Sequence, residues 1–130
     1  MKNTDIVRDP IEDMRGKSRV ALYRFPGGGG LLWAVATSRD LTLDLPGQAA
    51  DALAVIDGYL TQRGLDRTRI MRAEVIVTDH DRKAEVDKVW LEWMPTDQGP
   101  VRSFIQSKMP DGDLIEIIVT VALPADYTGD

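Results

Sequence analysis

The chain has 130 residues, of which 43% are hydrophobic and 28% charged, and its formal net charge is -5. It contains no cysteine and a single histidine, which excludes disulfides, a thiol nucleophile and multi-histidine metal centres. The acidic balance disfavours nucleic acid as a partner, and no apolar run is long enough to cross a membrane. Since the first residues also lack the apolar core of a secretory signal, we expect a cytoplasmic protein.

Three segments are predicted from the pattern of charge and apolar residues. Residues 1–17 mix charges with a proline and show no periodicity, which predicts an irregular N-terminal arm. Residues 18–124 are predicted to form a single α+β domain, and residues 125–130 a C-terminal tail. We assign no chemistry to the arm or the tail.

The domain begins with a predicted β-hairpin. Its strands cover 18–24 and 31–37, and Pro26 with four glycines forms the turn between them. An amphipathic helix follows over 46–63, because apolar residues recur at helical spacing and Gly64 ends the pattern. One face of this helix should pack on the sheet.

The second half of the domain adds one helix and three strands. The strand over 70–78 alternates strictly, and its predicted buried side carries Met71, Ala73, Val75 and Val77. A helix is predicted from Asp79 or Asp81 to Met94, and Pro95 stops it. The last two strands cover 101–107 and 114–123.

The order of elements, ββαβαββ, predicts an α+β fold with a mixed sheet and both helices on one face. Several strands carry apolar residues on both sides, so the face of the sheet without helices must also be shielded from water. Self-association of identical subunits provides it most simply. A homo-oligomer is therefore expected from the pattern itself.

Arg102 and Glu116 are the candidate site residues. Each is flanked by residues of high strand propensity, and a charge on a packed strand surface needs a partner or a ligand. We expect them on two adjoining strands, close enough to form one ligand site. A guanidinium binds a planar carboxylate through two hydrogen bonds, and a carboxylate can orient water or accept its proton.

Several segments together resemble the Rid family, the YjgF-like reactive intermediate deaminases. The segments are Ala73-Glu74-Val75-Ile76-Val77-Thr78-Asp79, Asp87-Lys88-Val89-Trp90, Val101-Arg102-Ser103, Met109-Pro110 and Ile115-Glu116-Ile117. The resemblance covers roughly Leu31 to Ala122. It implies a chorismate-mutase-like subunit, a ring-like homotrimer, and clefts between subunits that bind a small carboxylate metabolite. No cofactor and no metal is implied.

The resemblance also implies an activity. Such clefts hydrolyse enamines and imines of 2-keto acids to the ketone and ammonia. By position Arg102 binds the substrate carboxylate and Glu116 is the catalytic residue that holds the attacking water, while Tyr23 maps to a substrate-binding tyrosine. The alternative is a trimer that binds carboxylates without catalysis. A ribonuclease is disfavoured by the acidic balance.

The chain departs from the family pattern at three places. Ala36 occupies the position of a serine, which Thr37 or Ser38 could replace. Asp87 occupies the position of an asparagine and adds a negative charge. The spacing from Arg102 to Pro110 is one residue shorter, which is harmless in a turn but reverses side-chain directions inside a strand.

Two further alternatives stay open from the sequence. Arg102 could form a structural ion pair, for which Glu116 or Asp87 would serve. His80 lies between two aspartates at a helix start and is expected to be a solvated turn residue, although three such side chains could bind a metal.

Overall fold

The computed structural model describes residues 5–11 and 16–130. Its strands are β1 (Ile6–Pro10), β2 (Ser18–Arg24), β3 (Gly30–Thr37), β4 (Ile70–Val77), β5 (Val101–Gln106) and β6 (Ile115–Leu123). Its helices are α1 (Leu45–Thr61) and α2 (Lys83–Trp93), with short 3-10 helices at Arg67–Arg69 and His80–Arg82. Within the described residues, no helix has the length and apolar character that crossing a membrane requires.

β2 and β3 form the predicted hairpin, with Leu22 opposite Leu32. The turn between them requires glycine where it enters β3. Gly30 has a φ of 156°, and a Cβ atom there would lie 2.0 Å from the carbonyl oxygen of Tyr23. No larger residue fits that contact, so the glycine run serves the turn.

The six strands form one mixed sheet in the order β1-β2-β3-β6-β4-β5. β4 and β5 are parallel because α2 returns the chain to the same end of the sheet, and the other neighbours are antiparallel. β6 therefore lies in the middle, between β3 and β4. β1 and β5 are the two edges.

Both helices pack on one face of the sheet, and the core lies between them and that face. Every second residue of β6 is buried, from Ile115 to Leu123, because alternate side chains of a strand point to the same side. α1 contributes the predicted stripe, in which Leu53, Ile56 and Leu60 are buried. The predicted α+β architecture is confirmed.

α1 has a capped N-terminus and one polar side chain in the core. Asp44 accepts a hydrogen bond from the backbone N–H of Gly47 at 2.9 Å. The buried amide of Gln48 donates from Nε2 to the carbonyl oxygen of Gly112 at 2.9 Å and accepts at Oε1 from the N–H of Leu114 at 3.0 Å. This amide joins α1 to the turn that leads into β6.

The irregular arm predicted over 1–17 is wrong in part. Ile6–Pro10 forms β1 and pairs antiparallel with β2, because an edge strand can supply the hydrogen bonds that β2 would otherwise lack. Residues 1–4 and 12–15 lie outside the described residues.

Two details of the second half also differ from the prediction. A β-bulge after Ile70 turns Met71 outward, so Met71 is 57% exposed and Ile70 takes the buried place. Asp79 is a cap, as one alternative held, but it caps the short 3-10 helix at His80–Arg82. α2 proper begins only after that turn.

The second face of the sheet carries no helix within the described residues. Three large apolar side chains are exposed on it, namely Trp33 at 41%, Val101 at 73% and Ile105 at 43%. Exposed apolar surface of this kind is typical of an interface. Self-association through this open face stays a prediction.

Candidate functional site

Arg102 lies on the edge strand β5, on the face that the helices cover. It stands opposite Ala73 of β4, which is fully buried, so both side chains point toward the helices. Its guanidinium carbon lies 5.3 Å from the ring centre of Trp90 and 5.6 Å from that of Phe104. Two aromatic rings thus flank the cation, while the side chain remains 19% exposed and within reach of a ligand.

Asp87 of α2 is the partner of Arg102 within the chain. Nη2 of Arg102 donates to Oδ1 of Asp87 at 2.5 Å, and Nζ of Lys83 donates to Oδ2 at 2.6 Å. Burial would raise the pKa of Asp87, but the hydrogen bonds from Lys83 and Arg102 outweigh it and hold that pKa below its ordinary value. Asp87 is therefore ionised at neutral pH. Two cations and one anion leave the group with a single positive charge.

Lys83 was not among the predicted site residues. The sequence did contain a signal for it, because Lys83 and Asp87 are four residues apart and such residues are neighbours on a helix surface. We call Lys83, Asp87, Arg102, Trp90 and Phe104 the guanidinium site.

Glu116 lies near the start of β6 on the open face. Its neighbours in register are Thr37 at the end of β3 and Ile76 of β4. Glu116 and Thr37 line a cleft of about 970 Å³, which extends past Arg19 to Tyr59 and Gln62 at the end of α1. We call it the Glu116 cleft. A half-buried carboxylate beside a hydroxyl can hold a water molecule there.

The structure distinguishes the two hydroxyls that could replace the family serine. Ser38 is 6% exposed, and its Oγ lies 3.1 Å from Oδ2 of Asp51 and 3.0 Å from the carbonyl oxygen of Asp40. The hydroxyl proton of Ser38 is therefore donated to an acceptor in these contacts, which hold the loop after β3 in place. Thr37, by contrast, stands beside Glu116 and makes no side-chain hydrogen bond among the described residues. Thr37 is therefore the hydroxyl that a ligand can reach.

Tyr23 lies far from Glu116 in the same subunit. It stands opposite Leu31, which is in register with Ala122 at the other end of β6. Six residues of strand separate that level from Thr37 and Glu116, or about 20 Å. Its nearest aromatic neighbour is Phe25, at 5.5 Å between ring centres. The part of β2 that lines the Glu116 cleft is its start, where Arg19 lies.

The expected pairing of Arg102 with Glu116 is wrong within one subunit. β4 lies between β5 and β6, so the two strands do not adjoin. Arg102 shares a face with buried Ala73, whereas Glu116 shares the opposite face with Ile76. The ion-pair partner of Arg102 is Asp87, which was the other alternative.

The shortened spacing between Arg102 and Pro110 falls outside the strand. β5 pairs with β4 without a bulge from Val101 to Gln106, so alternate side chains keep their faces along its whole length. The missing residue belongs to the turn that precedes β6. Arg102 and Phe104 therefore both remain beside α2.

The predicted solvated turn at His80 is only partly right. The histidine is exposed, but its ring packs edge-on against Phe104, with 5.2 Å between ring centres. The carboxylate of Asp79 accepts a hydrogen bond from the backbone N–H of Asp81 at 3.0 Å and so caps the short 3-10 helix. Across 5–11 and 16–130, no three histidine, aspartate or glutamate side chains are grouped to hold a metal.

Fold and geometry together define an α+β subunit that holds an aromatic-flanked guanidinium on one face of its sheet and the carboxylate of Glu116 on the other. The family model described as Endoribonuclease L-PSP matches residues 34–123. The chain belongs to this family, whose solved members are also described as YjgF and Rid proteins. The predicted family is confirmed.

Relatives with known sequences or structures agree with this assignment. A RutC family protein from Haemophilus ducreyi is 28% identical over 107 residues, which cover 82% of this chain and 88% of the relative. The RutC family protein YoaB from Escherichia coli is 29% identical over 76 residues, covering 58% and 67%. A crystal structure from Salmonella typhimurium has a TM-score of 0.76 at 27% identity, covering 93% and 100% of the two chains. A YjgF family structure from Neisseria meningitidis has a TM-score of 0.77 at 22% identity, covering 94% and 97%, and shows the shared fold.

Proposed function

We propose that this protein is a hydrolytic deaminase of reactive enamine and imine intermediates, which converts 2-imino acids to 2-keto acids and ammonia. The observation that carries the proposal is the guanidinium of Arg102. It is flanked by two rings and held at one nitrogen by Asp87, and its remaining N–H groups have no acceptor among the described residues. A fixed, partly exposed fork of this kind suits the planar carboxylate of a 2-imino acid.

The proposal includes a homotrimer with the reaction in clefts between subunits. Arg102 and Glu116 lie on opposite faces of one sheet, so a single subunit cannot bring them to one substrate. A neighbouring copy that covers the open face would bring its own guanidinium site to the Glu116 cleft. The exposed Trp33, Val101 and Ile105 supply apolar surface for that contact.

The chemistry needs one placed water and one proton carrier. Glu116 accepts a proton as water adds to the imine carbon, and the electron pair of the C=N bond moves to nitrogen. The imine reacts in its protonated form, so this step gives a neutral carbinolamine. Glu116 then returns its proton to the carbinolamine nitrogen and takes the hydroxyl proton as the C=O bond forms, the C–N bond breaks and ammonia leaves. An enamine substrate first takes a proton on carbon to become the imine. Arg102 holds the carboxylate, and Thr37 offers a hydroxyl beside the water.

Ammonia release from freshly generated 2-iminopropanoate tests the proposal. Arg102→Ala should raise KM about 100-fold, because it removes a charge-assisted bidentate contact. Glu116→Gln should lower kcat about 100-fold or more and change KM little. Arg8→Ala, an exposed residue on the far edge strand, is the matched control and should leave both constants unchanged. Wild-type kinetics in both site variants would contradict the proposal.

A trimer that binds small carboxylates without catalysis is the second candidate. Asp87 favours it, because its carboxylate already occupies one nitrogen of Arg102 and the family serine is replaced by buried Ala36. Binding of a 2-keto acid without ammonia release would support this candidate. Tyr23 stays a predicted substrate-binding residue in either proposal. Because it lies far from Glu116 within one subunit, the neighbouring copy would have to supply it.

For both candidate functions, we propose that the protein is cytoplasmic and binds no nucleic acid. The word endoribonuclease describes the family model, while this chain carries a formal net charge of -5. A net negative charge works against binding to a phosphate backbone. RNA binding that weakens as salt is added would contradict this part of the proposal.

A further inference from the structure

The guanidinium site contains an ion pair that the proposed reaction does not use. Lys83 and Asp87 bind each other at 2.6 Å, one turn apart on α2, and Asp87 also holds Arg102 at 2.5 Å. Each oxygen of the Asp87 carboxylate therefore contacts one cation. Without Lys83, the charges of Asp87 and Arg102 would cancel.

Lys83 is placed to act on whatever Arg102 binds. Its Nζ lies 5.5 Å from the ring centre of Phe104, and the guanidinium carbon of Arg102 lies 5.6 Å from the same ring. Both cations thus border one aromatic surface. The side chains of Lys83 and Asp87 are 42% and 30% exposed, so solvent reduces their influence without removing it.

We infer that the Lys83–Asp87 pair sets the charge of the guanidinium site at plus one and thereby selects 2-imino acids with one carboxylate over those with two. This inference rests on the proposed function, since it names the substrate class of the same site. One carboxylate neutralises the site. A second carboxylate would leave it negative, and in the proposed assembly it would also face Glu116 of the adjoining subunit.

Four proteins with different site charge test the inference by isothermal titration calorimetry at low salt. The probes are 2-oxobutanoate, with one carboxylate, and 2-oxoglutarate, with two. The site charge is plus one in the wild type, zero in Lys83→Met, plus two in Asp87→Asn, and plus one again in the double variant. Asparagine keeps an oxygen that can accept from Arg102, so position is preserved while charge changes.

Each lost positive charge should weaken 2-oxobutanoate binding about three- to eightfold. The loss of 2-oxoglutarate binding should be about two- to fivefold larger than the loss of 2-oxobutanoate binding, because 2-oxoglutarate carries a second carboxylate. The preference for 2-oxobutanoate should therefore increase in Lys83→Met, decrease in Asp87→Asn, and return to the wild-type value in the double variant. High salt should bring the four preferences together. Lys88→Met removes a charge from the same helix at an exposed position and should change neither affinity.

The same experiment separates failure of the inference from failure of the proposed function. If Arg102→Ala loses 2-oxobutanoate while Lys83→Met binds both probes like the wild type, only the inference is overturned. A double variant that does not recover the wild-type preference overturns it as well. If the wild type binds neither probe, or if Arg102→Ala binds like the wild type, the proposed function is overturned together with it.

Discussion

Replacement of Gln48 by leucine should lower the free energy of unfolding, although the two side chains have a similar volume. The side chain of Gln48 is fully buried among backbone groups. It donates to the carbonyl oxygens of Gly112 at 2.9 Å and Leu43 at 3.2 Å, and it accepts from the N–H of Leu114 at 3.0 Å. Leucine fills a similar volume but leaves these three groups without a partner.

The magnitude follows from how many of those groups water can reach. A buried polar group that loses its partner costs about 1–3 kcal/mol. Gly112 is exposed, so water can replace the amide at its carbonyl, and the N–H of Leu114 carries most of the penalty. The extra apolar burial of leucine offsets about 1 kcal/mol. We expect a net loss of about 1–2 kcal/mol in the free energy of unfolding.

Urea unfolding followed by tryptophan fluorescence measures this loss at one fixed protein concentration. The midpoint should fall while the slope with urea stays the same, because the surface exposed on unfolding is unchanged. Gln98→Leu, at an exposed loop position, is the control and should unfold like the wild type. A Gln48→Leu protein as stable as the wild type would show that the buried amide does not secure the turn before β6.

Three further changes test other parts of the fold. Arg39 holds the pKa of Asp51 at about 2, so the ion pair stabilises the protein above pH 4. As the pH falls from 4 to 2, the protein should lose about 1 kcal/mol of stability, a small value because Arg39 is exposed. Asp51→Asn should abolish this step in acid unfolding curves. Gly30→Ala should cost more than about 2 kcal/mol in urea unfolding, because its Cβ would collide with the carbonyl oxygen of Tyr23. Gly58→Ala, in the last turn of α1 with open space around it, should instead raise stability by about 0.5–1 kcal/mol. Equal urea midpoints for the two alanine variants would contradict both expectations.

Elements with a long periodic pattern could be predicted from the sequence. β2 has the predicted bounds of 18–24, and the apolar stripe of α1 is the buried one. The wrong details have local causes that periodicity does not contain. A single bulge after Ile70 moved Met71 to the surface, and β1 forms because β2 offers an unpaired edge to a segment with little periodicity of its own.

Two charged strand residues of the candidate site could be named from the sequence, but their arrangement could not. The types and positions of Arg102 and Glu116 were apparent, while their faces depend on which strands become neighbours. Gln48 shows the same limit in the core. A glutamine on the apolar face of α1 signals a buried hydrogen bond, but its partners lie in a turn more than 60 residues away.

The strand order explains why the two charges are separated. Had β5 and β6 been neighbours, Arg102 and Glu116 could have formed a direct ion pair, and neither would have been free for a ligand. The insertion of β4 between them, together with the register, puts Arg102 with Asp87 on one face and leaves Glu116 with Thr37 on the other. Under the proposed function, a substrate that needs both groups lies where two subunits meet. In that proposed trimer, formation of the complete site and association of subunits are the same event.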